Sequence, residues 1–188
     1  MRAVFLDRDG VINRAFIRNG RSYSPASLEE FAILPGVPEA IRALRQARYR
    51  ILVVTNQPDV GKGLQRVEVI EAMHQALRRL VLIDQILICY HTDADGCACR
   101  KPRPGMLLDA ARAWRLDLSQ CVMVGDRWRD IEAGKAAGCK TILVRGEDHA
   151  EPPVRAPDAI VASLLDASAL ILSGRWLHPA SQPIEVAT

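Results

Sequence analysis

The chain opens with a continuous apolar run, Ala3-Val4-Phe5-Leu6, that breaks at once into Asp7-Arg8-Asp9-Gly10. An unbroken apolar run of this length predicts a strand covered on both faces, the mark of a parallel sheet. Parallel strands deliver their functional groups at their carboxyl ends. Gly10 permits a sharp turn there, which leaves Asp7 and Asp9 close together at a strand tip. Neighbouring carboxylates repel unless a cation or a proton lies between them. The pair therefore suits a divalent metal ion and acid–base chemistry. Asp and Gly are also common in solvated turns, and D-x-D-G by itself leaves that reading open.

The same grammar recurs along the chain. Ile51-Leu52-Val53-Val54 ends in Thr55-Asn56-Gln57, and a run near 85–89 opens onto a cysteine-rich segment. Cys121-Val122-Met123-Val124 ends in Gly125-Asp126, and Thr141-Ile142-Leu143-Val144 and Ala159-Ile160-Val161 follow. Helical periods lie between these runs: Val37, Ile41 and Leu44, then Val67, Ile70, Met73 and Leu77, then 106–114 and 128–137, with Gly138 placed as a C-cap. Ser163 is positioned to cap a last helix. The polar stretch 11–34, with turn signals at Asn19-Gly20 and Ser24-Pro25, is long for a loop, and long loops at strand tips often carry function. Alternating strands and helices predict the α/β class, a central parallel sheet with helices on both faces. The 188 residues suit one domain, read as 1–172, with the non-periodic 173–188 as a poorly ordered tail.

Composition excludes several classes. The formal net charge of +3 is spread rather than clustered, which argues against a nucleic-acid partner. No apolar run reaches the length of a membrane span, and the N-terminus enters a core strand directly, so neither membrane insertion nor a signal peptide is expected. Five cysteines is an odd number, and three of them fall within 89–99, which suits a metal site in a reducing compartment better than a disulfide framework. A cytoplasmic monomer is the expectation. Cys121 and Cys139, beside predicted strands, and His74, among apolar helix positions, read as core residues.

In a parallel sheet all the carboxyl ends share one edge. Asp7 and Asp9, Thr55, Arg100-Lys101, and Asp126 with Asp130 can then converge although they are distant in sequence. Individually, Thr55 also reads as a strand end, Lys101 as a solvated charge and Asp130 as a favourable residue in the first turn of a helix. Together they supply acidic groups for a metal, a hydroxyl and an ammonium. These residues resemble, in order, the four motifs of haloacid dehalogenase superfamily phosphatases: Phe5-Leu6-Asp7-Arg8-Asp9-Gly10, Val53-Val54-Thr55-Asn56-Gln57, Lys101 within Cys99-Arg100-Lys101-Pro102, and Val124-Gly125-Asp126-Arg127-Trp128-Arg129-Asp130. The resemblance implies a Rossmann-like three-layer sandwich and an aspartyl-phosphate mechanism. It makes Asp7 the nucleophile and Asp9 the general acid and base, with Thr55 and Lys101 holding the transferring phosphoryl group. It also implies Mg²⁺ between the Asp7 carboxylate, the Asp9 backbone carbonyl and the Asp126 carboxylate, with Asp130 in support. The chain leaves no room for an inserted cap domain, so its loops must select the substrate.

A second constellation is Cys89-Tyr90-His91 followed by Cys97-Ala98-Cys99. Three thiolates and an imidazole are preferred ligands of a closed tetrahedral zinc site. Pinning this loop would fix the adjacent Arg100 and Lys101. The zinc loop running into Arg100-Lys101-Pro102 resembles that of heptose-bisphosphate 7-phosphatases, and histidinol-phosphate phosphatases share the loop. Pro104-Gly105-Met106 and Gly61-Lys62-Gly63 favour the heptose enzymes, whereas Pro58-Asp59 departs from their usual Ser-Gly. The expected substrate is thus a small phosphorylated metabolite, a sugar bisphosphate first and histidinol phosphate second. Arg100 is the implied substrate ligand, with Asn56, Gln57, Lys62 and Arg103 as further candidates. A zinc-stabilised binding module without catalysis is the alternative of a different class.

Overall fold

The computed structural model describes residues 1–18, 21–145, 154–174 and 184–185. The chain runs β1 (Ala3–Leu6), a hairpin of β2 (Phe16–Arg18) and β3 (Arg21–Tyr23), α1 (Val37–Gln46), β4 (Arg50–Asn56), the short α2 (Pro58–Gly61), α3 (Val67–Leu80) and β5 (Gln85–Cys89). It continues through α4 (Gly105–Trp114), β6 (Val122–Gly125), α5 (Trp128–Ala137), β7 (Lys140–Val144), β8 (Ala159–Val161), α6 (Leu164–Ser173) and β9 (Ile184–Glu185).

The strands of the main sheet are all parallel, in the order β5-β4-β1-β6-β7-β8-β9. From β1 the chain builds outward to β4 and β5, then returns to add β6 on the other side. The order therefore reverses between β1 and β6, and such a switch point opens a crevice above the strand ends. Every residue of β1 is buried, because helices cover both faces. Val4 and Leu6 point into one core with Ile51, Val53, Ile41, Leu44 and Ala167. Ala3 and Phe5 point into the other with Leu52, Val54, Met123, Leu107 and Ala133. Strict alternation between two dry faces explains why the strand runs are apolar throughout.

Gly138 ends α5 in the left-handed conformation, at φ 84°, and the Ser163 hydroxyl caps α6 by accepting from the Asp166 N–H. The predicted long loop over 11–34 contains the hairpin of β2 and β3, whose three-residue strands are too short to give a period. The Asn19-Gly20 turn signal lies outside the described residues. So does most of 173–188, of which Ser173 closes α6 and Ile184–Glu185 pair in parallel with β8. Among the described residues no helix is long and apolar enough to cross a membrane.

Two carboxylates clasp the amino-terminal edge of the sheet. Asp84 accepts from the Ile51 N–H (2.8 Å), Arg50 (2.8 Å) and Arg45 (2.6 Å). Asp158 accepts from the Thr141 N–H (2.8 Å), the Thr141 hydroxyl (2.9 Å) and Lys135 (2.6 Å). Burial alone would raise the Asp84 carboxyl, but the Ile51 amide and the two arginines hold it below its ordinary 3.8. Asp84→Asn should cost about 1.5–3 kcal/mol, the range for hydrogen bonds to a charged group, measured by urea unfolding at neutral pH. A depressed carboxyl contributes stability above its unfolded value and loses it as pH falls through the folded value. The gap between the two proteins should therefore narrow as the pH drops below 3.8. An unchanged gap in acid would remove Asp84 as its source.

Candidate active site

Asp7 follows β1 directly, and its N–H donates to the Val124 carbonyl at 2.9 Å, which ties it to the tip of β6. Asp126 follows β6, and Asp130 lies in the first turn of α5. Carboxylate oxygens of Asp7, Asp126 and Asp130 lie within 4.8 Å of one another. Two glycines make this crowding possible. Gly10 turns the chain at φ 91°, and a Cβ there would collide with the Asp126 carboxylate. A Cβ on Gly125 would collide with Asp130.

Lys101 comes from the loop after β5 and is buried, at 2% exposed. Its Nζ lies 2.7 Å from Asp7 Oδ1, 2.5 Å from Asp130 Oδ1 and 2.7 Å from the Val54 carbonyl. Asn56 braces it, accepting from the Lys101 N–H at 3.2 Å and donating to the Lys101 carbonyl at 3.0 Å. Two carboxylates thus share one ammonium, while the third, Asp126, lies 3.9 Å from Arg127 Nε. Burial raises the Asp7 carboxyl to about 6, with Lys101 opposing the rise. Burial also lifts Asp126 well above its ordinary value, and the charges of Asp7 and Asp130 add to it. Asp126 Oδ1 is buried with no hydrogen-bond partner. Excess negative charge, oxygen donors and an orphaned carboxylate oxygen fit a hard divalent cation.

The Asp9 carboxylate is not in that cluster. It accepts from Arg8 Nη2 (3.0 Å), Asn13 (2.9 Å), the Ser24 hydroxyl (2.8 Å) and Gln57 (2.8 Å). Burial would raise its pKa, yet the Arg8 charge and these donors hold it below the ordinary carboxylate value. Arg8 is fully buried, and its Nη1 donates to His74 Nε2 at 3.0 Å. Burial first and the Arg8 charge second drive His74 down to about 3, so the ring is neutral and can accept. His74 packs on the inner face of α3, as its apolar neighbours predicted, but it also props the arginine that grips Asp9. Nothing in the sequence pattern marks Arg8, Asn13, Ser24 or His74 for this task, because each acts through a neighbour brought in by tertiary structure. Ser22, in the hairpin, is likewise drawn to the site by Arg127, which donates to its hydroxyl at 2.7 Å.

The cysteine-rich loop gathers its four predicted ligands. Cys99 Sγ lies 3.1 Å from Cys89 Sγ, 3.4 Å from Cys97 Sγ and 3.3 Å from His91 Nδ1. Cys89 Sγ lies 3.6 Å from His91 Nδ1 and 3.7 Å from Cys97 Sγ. Donors bound at about 2.0–2.3 Å to one tetrahedral centre come to separations of this size, so the set fits zinc. Arg103 donates to the Cys97 carbonyl at 2.7 Å and braces the loop. Arg100 pairs with Asp93 at 2.8 Å. Gln57 donates to both Asp9 and the Thr55 hydroxyl, the latter at 2.8 Å. Lys62 pairs with Asp59 at 3.0 Å on the exposed α2.

Comparison with known proteins extends this geometry. Residues 98–167 match the HAD-hydrolase-like family model. Over 153 residues the chain is 39% identical to the D-glycero-beta-D-manno-heptose-1,7-bisphosphate 7-phosphatase of Bordetella bronchiseptica, covering 77% of this chain and 81% of the relative. It is 40% identical over 147 residues to the enzyme of that name from Pseudomonas aeruginosa, covering 76% and 80%. The fold resembles a crystal structure of D,D-heptose 1,7-bisphosphate phosphatase from B. bronchiseptica complexed with magnesium and phosphate. The TM-score is 0.79 at 33% identity, over 92% of this chain and 99% of that one. A putative HAD-like phosphatase from Mesorhizobium loti gives a TM-score of 0.74 at 31% identity, over 97% and 90%. A parallel sheet with its acidic cluster at the switch point, together with this depth of similarity, places the chain in the heptose-bisphosphate 7-phosphatase family of HAD-like hydrolases.

Proposed function

We propose that this chain removes the 7-phosphate of D-glycero-D-manno-heptose 1,7-bisphosphate, with Asp7 as the nucleophile. The observation that carries the reading is the Lys101 ammonium between Asp7 and Asp130, beside the unpartnered oxygen of Asp126. The Asp7 carboxylate attacks phosphorus as the bond to the sugar oxygen breaks. Asp9 gives its proton to the departing alkoxide. That role requires a protonated Asp9, and the negative charge of an arriving phosphate raises the pKa of a nearby carboxyl. Asp9, now a carboxylate, takes a proton from water, which cleaves the acyl phosphate and restores Asp7 with release of inorganic phosphate. Thr55 and Lys101 hold the transferring oxygens. Mg²⁺ held by Asp7, Asp126 and the Asp9 backbone carbonyl, with Asp130 in support, would offset the charge between nucleophile and phosphate. Zn²⁺ on Cys89, His91, Cys97 and Cys99 would fix the loop that carries Arg100 and Lys101.

The relatives' names support the heptose bisphosphate over histidinol phosphate. Measurement of kcat/KM on heptose 1,7-bisphosphate, a heptose monophosphate and histidinol phosphate tests this, with the bisphosphate expected to lead. A preference for histidinol phosphate would overturn the substrate and keep the reaction.

Asp7→Asn should lower kcat by about 10⁴-fold or more, the scale for removing a nucleophile. Near-normal turnover in that variant would replace the covalent route by direct attack of water. Asp126→Asn should raise the Mg²⁺ concentration needed for half-maximal rate more than it raises KM.

Metal analysis of the purified protein should find about one zinc per chain, from the four-donor count. Cys97→Ser should lose that metal and reduce activity while leaving Asp7 in place. Absence of zinc, with Cys89, Cys97 and Cys99 all freely alkylated in the native protein, would exclude the site.

A further inference from the structure

One exposed carboxylate, Asp93, is gripped by two guanidinium groups from different parts of the fold. Asp93, just beyond the zinc ligand His91, accepts from Arg100 Nε at 2.8 Å and from Arg129 Nη1 at 2.9 Å, with Arg129 Nη2 at 3.4 Å. Arg100 leaves the cysteine-rich loop beside Lys101, and Arg129 belongs to the first turn of α5 beside Asp130. Both arginines thus neighbour residues of the buried charge cluster. Their positions are restrained: Arg129 lies over the Trp128 ring at 4.9 Å, and the Arg100 side chain is 12% exposed. Arg100 Nη1 is buried and has no hydrogen-bond partner. Asp93, by contrast, is 64% exposed.

A convergent guanidinium pair with a spare buried donor is built for an anion with more acceptor oxygens than a carboxylate has. A phosphate group offers three such oxygens and greater charge. Asp93 is a single charge screened by solvent, so a more highly charged phosphate can compete with it for the two arginines. We infer that Arg129 joins Arg100 in binding the remote phosphate of the bisphosphate substrate, and that Asp93 is an internal stand-in displaced when that phosphate arrives. This rests on the sugar-bisphosphate reading above. Arg129 is then a specificity residue that the fourth motif carries between its two aspartates. Asp93 keeps the two cations aligned in the free protein and competes with monoanionic ligands too weak to displace it.

The test is steady-state kinetics on heptose 1,7-bisphosphate and the matching 7-monophosphate, in the unmutated protein, Arg129→Ala, Arg129→Lys and Asp93→Asn. Arg129→Ala should cut the bisphosphate-to-monophosphate ratio of kcat/KM about tenfold or more, as for loss of a charged hydrogen-bonding partner, and Arg129→Lys should restore part of it. Asp93→Asn, which keeps the shape and removes the competing charge, should lower KM for the bisphosphate about two- to fivefold. A higher KM in Asp93→Asn would make Asp93 a scaffold for the arginines and overturn the displacement. An unchanged ratio in Arg129→Ala, in a protein that still prefers the bisphosphate, would overturn the role of Arg129 alone. No preference for the bisphosphate in the unmutated protein would instead overturn the substrate reading, and this inference with it.

Discussion

One buried ammonium holds the site together. Lys101 Nζ contacts Asp7, Asp130 and the Val54 carbonyl at once. These groups end β1, open α5 and line β4, so a single cation joins three crossovers of the fold. Taking such a charge out of water is costly, and only close opposite charges and hydrogen bonds offset it. The offset requires the tips of β1, β4 and β6 to lie side by side, which is what the strand order provides. It also requires small residues where carboxylates press on backbone, which explains Gly10 and Gly125. Removal of Lys101 would leave Asp7 and Asp130 without their shared cation, and Arg127, 3.9 Å from Asp126, as the positive charge beside the cluster.

The two edges of the sheet treat their acidic groups in opposite ways. At the amino-terminal edge Asp84 and Asp158 are saturated by strand amides and cations, and both sit below the ordinary carboxylate pKa. At the carboxyl edge Asp7 and Asp126 are pushed upward, first by burial. The first arrangement is the stable one for a carboxylate. The second stores unfavourable charge that a cation or a proton can relieve, and such stored demand is a mark of a binding or reacting site. The saturated and the crowded carboxylates therefore occupy opposite edges of the same sheet.

Much of this was legible in the sequence, and the reason is the strand itself. A strand buried on both faces must be apolar, so the residue at which the run stops is conspicuous. Asp7, Thr55 and Asp126 stand at such stops. Lys101 and the grouping of Cys89, His91, Cys97 and Cys99 were legible from motif and spacing. Side-chain direction was not. Asn56 and Gln57 follow Thr55 in sequence, and the fold turns their amides onto Lys101, Asp9 and Thr55. Arg8 lies between two aspartates and could have faced solvent, yet it is fully buried against His74, a residue 66 positions away. The hairpin of β2 and β3 escaped because three-residue strands carry no usable period, although it is the hairpin and its flank that bring Ser22 and Ser24 to the site.

The division of labour proposed for Asp7 and Asp9 rests on their surroundings rather than on their chemistry, which is identical. Asp7 has one cation partner, shared with Asp130, and sits where burial and like charge disfavour its anion. In the proposed reaction its charge goes into a bond to phosphorus. Asp9 is enclosed by donors from Arg8, Asn13, Ser24 and Gln57, which fix its orientation and favour its anion. A group held so firmly is a poor nucleophile, since attack would strip it of those hydrogen bonds. It is a good proton carrier, since a proton can arrive and leave without the carboxyl group moving far. The separate roles proposed for these two carboxyl groups rest on that difference in environment. Arg8, between them in sequence, is the largest of the influences that favour the Asp9 anion.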